Sequence, residues 1–403
     1  MGCEECDLVV LRATGKLSGG FRALLVLFNH SRELGATRDA SVPAYGKMKR
    51  LGLRSKSANE NGDPIERAAS AKAESPGNVV LVLSGGRKAI MNELPQNILH
   101  CIGNTSLLPL RNIKPKNGSH ILLKLESENP TGSMKDRMAL AMIEAAAADG
   151  RLRAGGSVVE YTGGSTGVSL SLVCAVKGYP LHIVTSDAFS REKLDHMKIL
   201  GATLQIVPSE SGRMTEKLTR DMIEAARVVA AKTGAFWTDQ MKNKDQLAAY
   251  HKLAEEIWLQ TGGQIDGFVQ SVGTAASLRG TGEALRRCNS RIRIVAVEPS
   301  ESAVLSGGQP GAHKIDGIGA GFVVPLWQPD IADQIERVST EEALAMAFRL
   351  AREEGLFAGT STGCNVIAAL RLAEPLPAGA TIVTIMCDTG MKYLKTYGSA
   401  LSR

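Results

Sequence analysis

Lys135 stands between a turn and a helical run in the stretch NPTGSMKDRMALAMIEAA, Asn129 to Ala146. Asn-Pro and Thr-Gly are turn signals, and Ser133-x-x-Asp136 ahead of an apolar run is a capping-box pattern, so Lys135 is expected in the first turn of a helix. At that end the unsatisfied N–H groups and the helix dipole disfavour positive charge, and partial burial pushes the amine towards its neutral, nucleophilic form. A neutral lysine amine can form a Schiff base with a carbonyl. On this stretch alone a surface lysine following a cap is the preferred reading, and other parts of the chain must decide.

Three small-residue loops supply further candidates. TGGSTG, Thr162 to Gly167, lies between a strand ending at Tyr161 and a helix expected to start near Val168, and would aim backbone N–H groups and hydroxyls at one small anion. GTAAS, Gly273 to Ser277, is a second strand, turn and helix N-terminus of the same kind. CDTG, Cys387 to Gly390, follows the last clear strand and offers a Thr389 hydroxyl to a ligand ring. Taken singly, each is more often a simple connection. Neither anion loop matches G-x-x-x-x-G-K-[ST], GIGAGF at Gly317 to Phe322 is not a dinucleotide fingerprint after a strand, and no H-E-x-x-H is present. A lysine able to form an imine, a phosphate cradle, a carboxylate cradle and a hydroxyl together are what a pyridoxal phosphate enzyme acting on an amino acid would need.

The elements that must hold these groups alternate regularly from about Glu93. Runs such as ILLKLE, SVVEY, LHIVTS, TLQIV, DGFVQSV, IRIVAVE and TIVTIMC read as strands, and amphipathic segments between them as helices, among them the Lys135 segment ending at Asp149-Gly150 and others near 215–232, 244–261 and 276–287. Such alternation implies an α/β fold with a mostly parallel sheet and ligands at the carboxyl ends of strands.

Before that point the texture differs. Residues 7–58 carry ten Lys or Arg against three acids, a bias like that of an organelle transit peptide, although the acids of MGCEEC do not fit one. Residues 55–78 read as a polar linker. The whole 403-residue chain has formal net charge +6, but basic and acidic residues are interleaved elsewhere and aromatics make up only 4%, which argues against a nucleic-acid surface. No apolar run reaches the ~20 residues of a membrane span; ALLVLF and VVLVL have the length of core strands. Seven scattered cysteines do not form a disulfide framework, so a reducing, cytoplasmic setting is expected, with organelle targeting by the basic extension as the alternative. Cys3-x-x-Cys6 reads as two free thiols, and no metal site is expected.

The blocks IGNTSLLPL, LESENPTGSMKDR, TGGSTG, SVGTAASLRG, VAVEPSES, HKIDGIGAGF, EEGLFAGTSTG and DTGMKYL resemble, in order and spacing, the cysteine synthase and cystathionine β-synthase family of fold type II pyridoxal phosphate enzymes, over roughly Pro95 to Arg403. The resemblance implies two doubly wound α/β domains like those of the tryptophan synthase β-subunit: a larger one from 93–129 and 243–403, a smaller one from 130–242, and an N-terminal extension, 1–92, expected to be poorly ordered. It implies that Lys135 binds pyridoxal 5′-phosphate and acts as base on the substrate α-proton. By the same likeness Gly273, Thr274, Ala275, Ala276 and Ser277 hold the phosphate, and Thr389 faces the pyridine nitrogen. Alanines replace two usual glycines at 275 and 276, which preserves N–H donation if both have negative φ. Thr162, Gly163, Gly164 and Thr166, helped by Gln240, match the substrate carboxylate loop. Ser165 stands where the family usually has an asparagine contacting the cofactor 3′-oxygen, so that contact is expected to pass through water or be lost.

The activity implied is β-replacement on an O-activated serine such as O-acetylserine, with sulfide or a thiol as nucleophile, in a homodimer. Cysteine desulfhydration and cystathionine formation are alternatives, as is a non-catalytic relative that binds a partner's tail. The end of the chain at Arg403, without a tandem regulatory module, and the lack of a heme-binding match before the core weigh against an animal-type cystathionine β-synthase.

Overall fold

The computed structural model describes residues 95–210 and 215–401, and before them the backbone of four strands, β1 (Leu8–Leu11), β2 (Ala23–Phe28), β3 (Asn78–Leu83) and β4 (Lys88–Asn92). These four pair antiparallel in the order β1-β2-β3-β4, within a unit that ends at Pro95. ALLVLF and VVLVL thus form strands, as their length implies. The Cys3-x-x-Cys6 pair and the linker, apart from Asn78, lie outside the described residues.

The unit from Gln96 onward contains two sheets. The larger runs β13 (Gln334–Val338), β12 (Arg293–Pro299), β11 (Gly267–Ser271), β14 (Thr381–Met386), β6 (His120–Leu125) and β5 (Leu107–Pro109), all parallel except the β5–β6 pair. The smaller is wholly parallel: β10 (Phe236–Trp237), β7 (Val158–Tyr161), β8 (Leu181–Ser186) and β9 (Thr203–Val207). Strands covered on both faces lose the alternation of half-exposed ones, and β7 and β11 are buried at every position.

Nine helices are described: α1 (Lys135–Ala148), α2 (Ser165–Lys177), α3 (Arg191–Ile199), α4 (Glu216–Thr233), α5 (Gln246–Gln260), α6 (Ala276–Cys288), α7 (Thr340–Glu353), α8 (Thr360–Ala373) and α9 (Leu394–Leu401). One apolar core joins α1, α2, α5 and α6 to both sheets through Met138, Met142, Val158, Ile183, Phe268 and Leu285. A second packs α7 and α8 against the other face of the large sheet, and a third packs α4 on the small sheet around Met222 and Val159.

Buried charge ties these layers together. Arg137 on α1 donates to Glu126 at 2.6 Å and to Glu256 on α5 at 2.7 Å, and Lys124 of β6 donates to Glu256 at 2.7 Å. Lys124, Glu126 and Arg137 are all buried. Mutual pairing is what makes such burial tolerable, since an unpaired charge there would lose its hydration without compensation. Glu256 is held down to about 2 against its burial by Arg137 and Lys124.

Candidate active site

The turn ahead of α1 is built around Asp136. Its carboxylate accepts from the Thr131 amide at 2.7 Å and from the Thr131 and Ser169 hydroxyls, both at 2.5 Å. The capping box expected at Ser133-x-x-Asp136 therefore does not form: α1 starts at Lys135 with no side-chain cap, because the preceding turn and α2 recruit the carboxylate, and Ser133 Oγ accepts instead from the Lys135 amide at 3.2 Å. Lys135 still occupies the first turn. Burial lowers the pKa of its amine, opposed by the nearby Cys387 and Asp388. No hydrogen bond is made by its amine among the described residues, so the group is free to react.

The CDTG segment lies against this turn. Met134 N–H donates to Cys387 O at 2.9 Å and Thr389 N–H to Gly132 O at 3.0 Å, while on the other side Gly359 N–H donates to Asp388 O at 3.2 Å. Gly132 has φ of +73°, and a Cβ there would meet the Thr389 methyl at 2.6 Å, so the glycine permits both the turn and the contact. Thr389 Oγ1 accepts from Met391 N–H at 3.3 Å.

TGGSTG occupies the junction of β7 and α2, which begins at Ser165, three residues before the expected Val168, because small residues tolerate the tight first turn. Thr166 donates to Gln240 Oε1 at 2.8 Å, and Gln240 is itself anchored by its N–H to Glu160 at 3.0 Å. The loop and Gln240 are therefore brought together. Thr162 Oγ1 accepts from the Gly164 N–H at 3.2 Å, and the Phe189 ring lies so close on Gly163 that no Cβ could fit. Ser165 does not point to solvent; its hydroxyl donates to Asp388 Oδ2 at 3.2 Å.

At GTAAS, Gly273 leaves no room for a Cβ against Gly317 O. Ala276 opens α6, but Ala275 has φ of +70°, which corrects the expectation of negative φ at both alanines. The left-handed turn that points the loop's amides one way persists even though a side chain disfavours it. Ala275 supplies no side-chain cap to α6, so the first-turn N–H groups other than that of Ala276 are available to an anion. Thr274 Oγ1 accepts from Ala276 N–H and donates to Gln246, both at 3.4 Å. The buried Gln270 amide donates to Ser277 Oγ at 3.3 Å and also reaches Cys387 Sγ at 3.6 Å and Met134 Sδ at 3.7 Å, linking this loop to the Lys135 turn.

The residues fit pyridoxal phosphate: a desolvated lysine for an aldehyde, and an uncapped helix end behind a glycine too crowded for a side chain, for a phosphate. Asp388, Gln270 and Phe189 were passed over in the sequence. Asp388 lies inside the CDTG motif already singled out, and Phe189 is an aromatic in a turn directly after a strand; Gln270 in an otherwise apolar strand was the signal for a buried network, which Asn365 completes by donating to its Oε1 at 3.0 Å.

The chain is similar to known proteins. The family described as pyridoxal-phosphate dependent enzyme matches residues 98–388. A cysteine synthase of Staphylococcus aureus (strain Mu50) is 38% identical over 302 residues, covering 74% of this chain and 96% of that protein. The crystal structure of O-acetyl serine sulfhydrylase isoform 3 from Entamoeba histolytica superposes with a TM-score of 0.71 at 36% identity, covering 75% of this chain and 91% of the other. That of the O-acetylserine dependent cystathionine β-synthase from Helicobacter pylori gives 0.70 at 33%, covering 75% and 98%. With the half-buried lysine and its loops in one place and the likeness running through the whole unit from Gln96, the chain belongs to the cysteine synthase and cystathionine β-synthase family of fold type II pyridoxal phosphate enzymes.

Proposed function

We propose that this enzyme catalyses β-replacement on O-acetylserine, with sulfide as nucleophile, to give cysteine. The observation that carries this reading is the half-buried Lys135, its amine lowered in pKa by desolvation, set against the CDTG segment within one network of small-residue loops. Bound pyridoxal phosphate supplies an aldehyde for Lys135 and a sink for the electrons left at the substrate α-carbon. Gly273 to Ser277 would hold its phosphate with α6 amides, and Thr389 would offer its hydroxyl to the ring. The substrate carboxylate sits on Thr162, Gly163, Gly164 and Thr166, with Gln240 fixing the Thr166 hydroxyl. Lys135 would take the substrate α-proton on its amine, acetate would leave from the β-carbon, and sulfide would add there in its place.

In this reading the two sheets mark two domains, 130–242 around the smaller and 93–129 with 243–403 around the larger, and the site lies between them. The homodimer and the cytoplasmic setting belong to the same proposal; all five described cysteines are unpaired, which supports a reducing compartment. No helix among the described residues is long and apolar enough to cross a membrane.

The test is a visible spectrum of the holoenzyme during addition of O-acetylserine and then sulfide. The cofactor band should shift with the first and return with the second, as acetate and cysteine appear in equal amounts. A band unmoved by O-acetylserine but shifted by serine with homocysteine, or by cysteine with sulfide release, would replace this donor with one of the alternative reactions.

A further inference from the structure

Lys193, the third residue of α3, is almost fully buried although the first turn of a helix disfavours a cation. The side chains that face it come from the large-sheet half. Its Nζ lies 4.3 Å from the centroid of the Tyr393 ring and 3.6 Å from Asp316 of the DGIGAGF loop. The Tyr393 hydroxyl donates at 2.6 Å to Asp388 Oδ2, the same oxygen that receives the Ser165 hydroxyl at 3.2 Å. Asp388 Oδ1 is buried and makes no hydrogen bond among the described residues, so a single carboxylate oxygen carries both links. Ser165 and Lys193 belong to the helices of the small sheet, whereas Tyr393, Asp388 and Asp316 belong to the other half. The small-sheet half thus grips Asp388 twice: directly through the first residue of the substrate loop, and indirectly through a cation on the tyrosine ring.

We infer that Lys193 is a positioning residue that holds the 162–167 loop against the cofactor floor through Tyr393 and Asp388, an inference that rests on the substrate role proposed for that loop. The Lys193 amine meets Tyr393 and Asp316, and Lys193 is not among the residues proposed to hold substrate or cofactor. It orders the ring whose hydroxyl orients Asp388, and Asp388 in turn fixes Ser165 at the start of α2. Asp316 adds an electrostatic tether from the opposite wall that is half-exposed and hence weaker. The hydroxyl of Ser165 is directed to a carboxylate.

The experiment compares holoenzymes of wild type, Lys193→Met, Lys193→Arg, Tyr393→Phe and the Lys193→Met/Tyr393→Phe pair. Two readouts are taken: the O-acetylserine concentration giving half of the spectral change, and amide hydrogen exchange of 162–167 against 273–277 as internal reference. Lys193→Met keeps the stem and removes the charge; it should raise the half-saturating concentration about 3- to 10-fold with a smaller effect on kcat. It should also speed exchange of 162–167 while leaving 273–277 unchanged. Lys193→Arg should restore both to within about twofold, since the guanidinium also stacks on a ring. Tyr393→Phe keeps the ring but removes the hydrogen bond, and the pair should be no worse than the worse single variant, because both break one chain of contacts. Exchange of 162–167 unchanged in Lys193→Met, or single effects that multiply in the pair, would overturn the inference. If wild type ignores O-acetylserine while exchange still accelerates in Lys193→Met, the positioning role stands and only the substrate reading fails.

Discussion

Burial governs the residues that do the chemistry. An ammonium withdrawn from water loses more than its neutral form does, so Lys135 is biased towards the nucleophilic amine before any ligand arrives. Lys135→Ala should remove the covalent hold on the cofactor and cut turnover by roughly 10²- to 10⁴-fold, the span of a lost proton-transfer group; steady-state assays beside a visible spectrum check this. Ala275 carries the opposite sort of strain. Its φ of +70° costs an L-residue about 1 kcal/mol, so Ala275→Gly should raise stability by up to about that amount, less the extra chain entropy of glycine, and thermal unfolding of the apoenzyme measures it. Glu160 is pushed up to about 7 by burial, even though Thr238, Gln240 and Tyr161 donate hydrogen bonds to it. A carboxyl with a raised folded pKa stabilises fully below its ordinary range and loses that contribution as pH rises through about 7. Stability should fall over that window, and in Glu160→Gln the fall should vanish.

At the scale of elements, Arg137 joins β6, α1 and α5 by bridging Glu126 and Glu256. Arg137→Met should cost about 3–5 kcal/mol, chiefly because buried Glu126 would lose its ion-pair partner and keep only the hydrogen bonds from Thr105 and Asn129, and denaturant unfolding reads that cost. Glu256, held near 2, works in the reverse sense to Glu160: its contribution is present above the ordinary carboxylate range and lost as pH falls towards about 2. Much of the element order was legible in the chain. Runs such as VVEY and TIVTIM announce strands covered on both faces, and β7 and β14 bear them out. Local patterns failed where a distant group intervened. Ser133-x-x-Asp136 reads as a capping box and is none, since Thr131 and Ser169 take the carboxylate; Ser339-x-x-Glu342 has the same spacing, went unread, and is a true capping box at the start of α7. Lys124 lies hidden in β6 for a similar reason, its partner Glu256 being 132 residues away.

For the whole molecule, the loops quoted from the sequence proved to share one place, but how they are tied did not show in their spacing. TGGSTG reaches CDTG through Ser165 and Asp388, and Gln270 joins the GTAAS loop to Cys387 and to Met134, contacts across 223, 117 and 136 residues that no local pattern encodes. The family resemblance placed these motifs together in advance because it carries the tertiary arrangement with it. The N-terminal strands, with their antiparallel order, form a unit of their own. Cutting the chain before Gln96 should therefore leave the spectral response to O-acetylserine unchanged within about twofold, which titration of the truncated and full-length proteins would show, because every group invoked in the site lies in the second unit.

The central claim is that one lysine, Lys135, holds pyridoxal phosphate covalently. Borohydride reduction of the holoenzyme, followed by peptide mass mapping, tests it most directly. The account predicts a single modified peptide carrying the reduced cofactor on Lys135, absent from Lys135→Ala. Modification of another lysine in wild type, or none at all with cofactor supplied, would contradict it.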